Sequence, residues 1–136
     1  MTKLEMQIDS EQLYNIALVV ECIEDYFRHH ELDENVIFQV VSCVREGLNN
    51  IFEHATNDVM NKNINVACEK TNEKIIVELV DRGTAMESLP STHYPDTETE
   101  NGRGWFIIRN WMDEILYRRR CGENNLHMIR YIDVTT

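Results

Sequence analysis

One long run of helical periodicity constrains the fold of this chain most. Between residues 37 and 55, apolar side chains recur at intervals of three and four positions, which is the pattern of an amphipathic helix. Asp33 precedes the run and is one of the residue types that cap helix N-termini. We therefore predict a helix that starts after Asp33 and buries one stripe of its surface. The stripe consists of Ile37, Val40, Val41, Val44, Leu48, Ile51 and Ala55.

Strand patterns flank this helix on both sides. Residues 4–9 alternate between apolar and polar side chains, which predicts a half-buried strand. Two later pairs of apolar segments each enclose a short polar turn, at 71–73 and 122–124, and predict two hairpins. The remaining predicted elements are a first helix with an apolar stripe over 13–27 that ends near residues 29–31, strands over 65–68, 74–80, 115–119 and 126–134, and a third helix opened by residues 102–104.

The order of these elements indicates the fold class. Strand, helix, helix, strand, strand, a long irregular segment, helix, strand and strand follow one another in 136 residues. That length suits one domain, here residues 1–136. Because hairpins predominate and the helices group together, we predict an α+β two-layer sandwich rather than a doubly wound parallel sheet. The sheet is expected to be mixed but mostly antiparallel, with the helices on one face.

The charge balance narrows the range of partners. Asp and Glu total 24 against 13 Lys and Arg, so the chain carries −11 at neutral pH. This charge disfavours binding to nucleic acid and to anionic membranes, since both present negative charge. No apolar run reaches the ~20 residues of a membrane-spanning helix, and residues 1–6 lack the pattern of a secretory signal. We expect a cytoplasmic protein whose four cysteines are reduced thiols.

Three polar residues lie on one side of the long helix. Glu46, Asn50 and His54 follow one another at intervals of four and therefore form a single ridge. A solvated helix face is the simpler explanation of this spacing. Gly47 argues against it, because a glycine inside a helix costs about 1 kcal/mol relative to alanine and indicates close approach by another group. On spacing alone, both interpretations stay open.

Two glycine-containing segments follow the ridge along the chain. Asp81-Arg82-Gly83 ends an apolar strand, where an aspartate can accept a hydrogen bond from a ring amine and a glycine lets the backbone pass close to that ring. The alternative is an ordinary strand-to-loop turn. Gly102-Arg103-Gly104 opens a helix whose free N–H groups can cradle an anion, or it serves only as a hinge. The irregular segment 82–101 between them is typical of a functional lid or of disorder.

Together these motifs resemble a known family. Residues 45–55 are similar to the N-box of the GHKL ATPases, and residues 81–83 and 102–104 are similar to their two glycine boxes. The pattern of Glu, three residues, Asn, three residues and His-Ala most resembles the small anti-sigma-factor serine kinases of bacteria. The resemblance covers essentially the whole chain. It implies a histidine-kinase-like, Bergerat-type ATPase fold that binds ATP beneath a lid at about 82–101.

The resemblance implies roles for the ridge residues. Glu46 would be the catalytic residue that accepts a proton from the attacking hydroxyl. Asn50 would ligate Mg²⁺, a hard cation that suits an amide oxygen. His54 would line the pocket near Mg²⁺ or the ribose.

The two glycine boxes are assigned to the ends of the nucleotide in the same way. Gly102 and Gly104 would hold the β- and γ-phosphates of ATP, and the adjoining Arg103 and Trp105 are nucleotide-binding candidates with them. A tryptophan at such a position is more often a core residue.

At the other end, Asp81 would hydrogen-bond the adenine amino group, with Gly83 beside the ring. Asn125 stands roughly where relatives place a hydroxyl residue near adenine. Where family members often have a second glycine, this chain has Ala85.

The function implied is an ATP- and Mg²⁺-dependent serine protein kinase. It would phosphorylate a small anti-sigma-factor antagonist and sequester a sigma factor or similar client. The resemblance also implies a homodimer, for which the strand at 4–9 or the first helix could serve. Two alternatives stay open: a non-catalytic nucleotide-binding module that acts by sequestration, and a detached histidine-kinase ATPase domain.

Overall fold

Five strands and three helices make up the computed structural model, which describes residues 3–9, 15–55, 63–83 and 100–132. They follow one another in the predicted order. The elements are β1 (Leu4–Asp9), α1 (Asn15–His29), α2 (Glu34–Ala55), β2 (Asn63–Lys70), β3 (Lys74–Asp81), α3 (Glu100–Trp111), β4 (Glu114–Arg120) and β5 (Glu123–Tyr131).

The strands form a single sheet in the order β1-β2-β3-β5-β4. The predicted α+β fold is confirmed. All four pairings between the described strands are antiparallel, so the mixed component that we allowed for does not occur among them. β3 lies in the middle of the sheet, and its last residue therefore has neighbours on β2 and β5. β4 is an edge strand.

The helices cover one face of this sheet. Alternate residues of β3 point to that face, and Ile75, Val77 and Leu79 are completely buried. The predicted stripe of α2 is buried against them from Ile37 to Leu48. Burial of each such side chain stabilises the fold by about 1.5–3 kcal/mol, so this layer contact is the main hydrophobic core.

The start of α2 is the predicted one. Asp33 Oδ1 accepts a hydrogen bond of 3.4 Å from the Asn35 N–H, and Asp33 O accepts one of 3.0 Å from the Ile37 N–H. The short polar side chain thus satisfies a backbone donor that the first helical turn leaves without a partner.

The start of α3 differs from the prediction. The helix begins at Glu100, so Gly102 and Gly104 lie within its first turns instead of ahead of it. Glycine is permitted in a helix, and the burial of Trp105 and Ile108 stabilises helical structure here more than the glycines weaken it.

Several predictions fall partly outside the described residues. They concern most of the lid at 82–101, the polar connection before β2, and the last positions of the final strand. No helix in the described part of the chain has the length and apolar character needed to cross a bilayer. The cytoplasmic location stays a prediction.

Candidate functional site

Two contacts fix the direction in which α2 crosses the sheet. Near its start, Gln39 Oε1 accepts a hydrogen bond of 2.6 Å from Arg130 Nη1, and Arg130 lies opposite Ile75 at the beginning of β3. Further along, a Cβ on Gly47 would stand 2.7 Å from Cδ1 of Leu79, near the end of β3. Between these points the helix rises about 12 Å and the strand about 13 Å. α2 therefore runs along β3 toward the strand's C-terminal end.

Gly47 allows this close approach, as its presence in a helix predicted. The approaching group is the Leu79 side chain, and Leu126 Cδ2 would lie 3.4 Å from the same Cβ. On α2 the next turn carries Asn50, and on β3 the next residue facing the helices is Asp81. Both motif residues consequently lie at one end of the domain.

Glu46 and Gly104 bring α2 and α3 into direct contact. A Cβ on Gly104 would stand 2.7 Å from Glu46 Oε2 and 3.5 Å from Glu46 Cβ. One turn earlier on α2, the Cys43 thiol donates to the Ile107 carbonyl at 3.9 Å. The missing side chain at position 104 therefore leaves the space that the Glu46 carboxylate occupies, so Glu46 of the ridge and Gly104 of the second glycine box are direct neighbours.

Asn50 is a buried side chain with an unsatisfied group. It is 5% exposed, and its Nδ2 has no hydrogen-bond partner within the described ranges. A buried donor left in this state costs about 1–3 kcal/mol, and it indicates either a ligand or a functional role. The interpretation of the ridge as a solvated helix face is wrong for Asn50.

Asp81 is held at the end of β3 by two donors. It is 6% exposed, and its Oδ2 accepts hydrogen bonds of 3.0 Å from the Gly83 N–H and of 3.2 Å from Asn124 Nδ2. Hydrogen bonds to an ionised acceptor are stronger than those between neutral groups. These hydrogen bonds keep the Asp81 carboxylate in one orientation and hold the Gly83 backbone close to it.

Asn124 is a site residue that the sequence analysis missed. It lies opposite Asp81 in the sheet register and is 1% exposed. Asn125, the residue that we had placed near the adenine, points to the other face and donates to Glu78 Oε2 at 3.4 Å. The physical reason is that neighbouring residues of a strand face opposite sides of the sheet, so an error of one position exchanges the faces. The alternation of apolar and polar residues from Leu126 onward would have placed Asn124 on the face that the helices cover.

The remaining candidates occupy the expected elements. His54 lies in the last turn of α2, and Gly102 and Arg103 lie in the first turn of α3. Trp105 is 2% exposed and belongs to the hydrophobic core. A nucleotide-binding role for these four residues stays a prediction, and the core position of Trp105 agrees with its alternative interpretation.

The packing between α2 and α3 also perturbs a thiol. The pKa of Cys43 is raised to about 12, mainly by burial; the nearby Arg130 lowers it, and the Glu46 carboxylate raises it by a smaller amount. Cys43 is consequently a neutral, unreactive thiol at physiological pH. It lines the helix contact beside the site and takes no part in chemistry.

The donors at this end of the domain fit a nucleotide with Mg²⁺ better than a protein-enclosed metal. In the described ranges, no group of three or more His, Cys, Asp or Glu side chains is placed to hold a metal ion. Mg²⁺ commonly takes one or two protein ligands and completes its shell with phosphates and water. The unsatisfied Asn50 amide is the feature that matches such a group.

Comparison with known proteins decides the family. The model of the histidine kinase-like ATPase domain matches residues 7–130. The chain belongs to the histidine kinase-like ATPase family. The match contains the α2 ridge, Asp81 and Gly104, and it confirms the resemblance drawn from these motifs.

One curated relative and three solved structures extend this result. Serine/threonine-protein kinase BtrW of Bordetella bronchiseptica is 29% identical over 94 residues, which is 65% of this chain and 66% of that kinase. The alignment therefore spans slightly less than two thirds of either protein.

The structural neighbours are more distant in sequence. The RsbU and RsbW domains of Rv1364c from Mycobacterium tuberculosis have a TM-score of 0.72 at 16% identity, covering 96% of this chain and 33% of that one. The SiaB–SiaC complex from Pseudomonas aeruginosa gives 0.65 at 12%, covering 95% and 89%. The histidine kinase AdeS of Acinetobacter baumannii gives 0.55 at 12%, covering 96% and 68%. These likenesses confirm the fold.

Proposed function

We propose that this histidine kinase-like ATPase domain is an ATP- and Mg²⁺-dependent serine protein kinase of the anti-sigma-factor type. The observation that carries the proposal is the contact between Glu46 and Gly104, with the buried Asn50 amide one turn further along α2. A carboxylate, a neutral amide and the first turn of α3 would provide a proton acceptor, a cation ligand and an anion cradle.

Asn50 is the proposed cation ligand. When bound, Mg-ATP supplies the phosphoryl group that is transferred and the positive charge that offsets its oxygens. Asn50 would bind Mg²⁺ through Oδ1, and its Nδ2 would donate to a phosphate oxygen, which removes the unsatisfied donor of the free protein. The first turn of α3, with Gly102 in it, would present backbone N–H groups to the β- and γ-phosphates, and Gly104 would lie beside them without a side chain.

Glu46 is the proposed general base. Its carboxylate would take the proton of the substrate serine hydroxyl while that oxygen attacks. The absence of a side chain at Gly104 keeps the carboxylate in place beside the phosphate cradle. Phosphoryl transfer depends mainly on positioning and charge neutralisation, so few protein groups are required.

Asp81 is the proposed adenine acceptor. Its carboxylate would accept a hydrogen bond from the exocyclic amine, while the Gly83 N–H and the Asn124 amide hold it in orientation. His54, Arg103 and Trp105 are proposed to lie around the nucleotide without a role in proton transfer.

The proposed substrate is a serine of a small antagonist protein, and the proposed client is a sigma factor or a similar protein. The names of two similar proteins support a kinase that works in a protein complex: one is a serine/threonine-protein kinase, and the other is in the SiaB–SiaC complex. A net charge of −11 favours protein partners over nucleic acid or anionic membranes. A homodimer is part of the proposal.

The test combines nucleotide binding with phosphoryl transfer. Calorimetry with Mg-ADP should show one binding site, and radiolabelled Mg-ATP should label a serine on a candidate antagonist protein. Glu46→Gln should bind Mg-ADP normally and lose transfer at least 100-fold, which is the usual contribution of a general base. Glu21→Gln, on the exposed side of α1, is the matched control. Equal labelling by wild type and Glu46→Gln would contradict the proposed base.

A second function is favoured by Ala85, which replaces a glycine of the family pattern. In that case the domain holds nucleotide and sequesters its partner without transferring phosphate. Binding of Mg-ADP together with retained client binding and no serine labelling would support this module over the kinase. Labelling of a histidine in place of a serine would support the detached histidine-kinase domain.

A further inference from the structure

Three polar residues form a row across the sheet at the C-terminal end of β3. Asp81 on β3 lies opposite Asn124 on β5, and Asn124 lies opposite Arg119 on the edge strand β4. Arg119 Nη1 donates to Asn124 Oδ1 at 2.9 Å and to the Gly83 carbonyl at 3.0 Å. The guanidinium thus reaches from the sheet edge to the residues that hold the proposed adenine acceptor.

The β4–β5 turn places Arg119 in this row. Arg120 pairs with Glu123, so only Cys121 and Gly122 form the loop, and both have positive φ angles of 53° and 77°. Two-residue hairpin loops with positive φ at both positions fix the register of their strands. A slip of one residue would turn Arg119 to the opposite face.

Arg119 also helps to hold the Asn124 amide in one orientation. Asn124 Nδ2 donates to Asp81 Oδ2 at 3.2 Å and to the Gly83 carbonyl at 2.9 Å. Its Oδ1 must then face Arg119, because a guanidinium only donates hydrogen bonds. Without Arg119, the Asn124 Oδ1 and the Gly83 carbonyl each lose a charged donor, so the two residues that hold Asp81 are less firmly fixed.

We propose that Arg119 is a positioning residue for adenine recognition, acting through Asn124 and Gly83 on Asp81. This inference rests on the proposed nucleotide site at Asp81. A correctly held carboxylate accepts a hydrogen bond from the 6-amino group of adenine, whereas the 6-oxo group of guanine offers it no donor. Arg119 therefore contributes to the preference for adenine over guanine.

The neighbouring arginines of β4 provide matched controls. Arg118 lies opposite Asn125, and Arg120 lies opposite Glu123, on the sheet face that the helices leave uncovered. Arg118 has the same charge and strand environment as Arg119 but points away from Asp81. A change at Arg118 tests charge and strand propensity without touching the row.

The experiment measures binding of Mg-ADP and Mg-GDP to the full chain by calorimetry. Arg119→Gln should weaken Mg-ADP binding about tenfold and leave the weaker Mg-GDP binding unchanged. The ratio of the affinities for Mg-ADP and Mg-GDP should therefore fall about tenfold. Arg119→Lys, which retains one charged donor, should recover part of the selectivity. Arg118→Gln should bind both nucleotides as wild type does. Thermal unfolding of each variant checks that it is folded.

The outcomes separate this inference from the proposed function. If wild type prefers Mg-ADP and Arg119→Gln keeps the same preference, the positioning role is overturned and the nucleotide site stands. If Arg119→Gln weakens both nucleotides equally, its role is structural and the inference is again overturned. If wild type binds neither nucleotide, the proposed function fails and the positioning role fails with it.

Discussion

The two ends of the proposed nucleotide site are built differently. Asp81 and Asn50 are almost equally buried, at 6% and 5% exposure. The Asp81 carboxylate accepts hydrogen bonds from Gly83 and Asn124, and Asn124 in turn accepts one from Arg119. The Asn50 Nδ2 has no hydrogen-bond partner among the residues that the structure describes. The adenine end is therefore preformed by the sheet, whereas the phosphate end is incomplete without its ligand.

This difference between the two ends affects both the stability of the protein and its affinity for a ligand. A buried unsatisfied amide lowers the stability of the free protein by about 1–3 kcal/mol. Binding of a phosphate or a cation would remove that cost, so the ligand gains affinity where the protein lacks an internal partner. In the proposed site, the preformed end would provide specificity, and the incomplete end would link stability to ligand binding. The following variants test the contrast, beginning with the largest expected effect.

Asp81→Ala should damage both binding and stability. Mg-ADP binding should weaken about 100-fold, since the adenine amine loses a charged acceptor. The unfolding free energy should fall by about 1–3 kcal/mol, because the Gly83 N–H and the Asn124 amide lose theirs. Calorimetry and urea denaturation measure the two effects.

The control for this variant is Asp113→Ala. Asp113 is an exposed aspartate whose Oδ2 accepts a hydrogen bond of 2.6 Å from the Tyr131 N–H, outside the site. It should lose a little stability and no affinity. An Asp81→Ala protein of wild-type stability would show that the adenine end is not preformed.

Asn50→Ala should separate binding from stability. Mg-ADP binding should weaken about tenfold, because the Mg²⁺ ion and a phosphate oxygen lose the Asn50 amide. Stability in urea should stay equal or rise, since the change removes an unsatisfied donor and no hydrogen bond of its Nδ2 is lost. Asn49→Ala, at the adjacent exposed position, should leave binding unchanged. A clear loss of stability in Asn50→Ala would break the contrast between the two ends.

Gly104→Ala should slow phosphoryl transfer with little effect on folding. The new methyl group would meet Glu46 Oε2 at 2.7 Å, and the flexible end of that side chain would move aside. We expect transfer about tenfold slower, since a displaced base keeps only part of its usual effect. Urea denaturation should show no loss, because alanine favours the helix by about 1 kcal/mol over glycine. Unchanged single-turnover rates, with Asn110→Ala as control, would argue against the role of this contact.

The smallest expected effect concerns the pH dependence of stability, which the two buried thiols should change. Burial raises the pKa of Cys68 from 9.0 to about 12, and that of Cys43 likewise. Above pH 9 the unfolded chain releases these protons and the native state keeps them, so stability falls as pH rises toward 12. When the pH is raised from 8 to 10, the unfolding free energy of Cys68→Ala, measured by urea denaturation, should fall by about 1 kcal/mol less than that of wild type. Cys22→Ala, at an exposed position, should match wild type; an identical pH dependence in all three would contradict the prediction.

Local patterns in the sequence predicted the elements and the candidate residues. Side-chain periods of about 3.6 and two depend only on the geometry of a single helix or strand, so the order of elements and the bounds of β1 followed from them. The spacing of Glu46, Asn50 and His54 is also a local property, as is the cost of a glycine within a helix. The close approach at Gly47 was therefore predictable, although the identity of Leu79 as the approaching group was not.

The contacts between elements required the tertiary structure. Periodicity shows which residues share a helix face, but it does not show what covers that face. Only the tertiary structure shows that α3 packs against Glu46 and that Asn50 is buried. The strand register also depends on the tertiary structure, because a shift of one residue along a strand moves every side chain to the opposite face of the sheet. The sequence by itself thus determined which residues could take part. The assembled sheet decided that Asn124 and Arg119, and not Asn125, support Asp81.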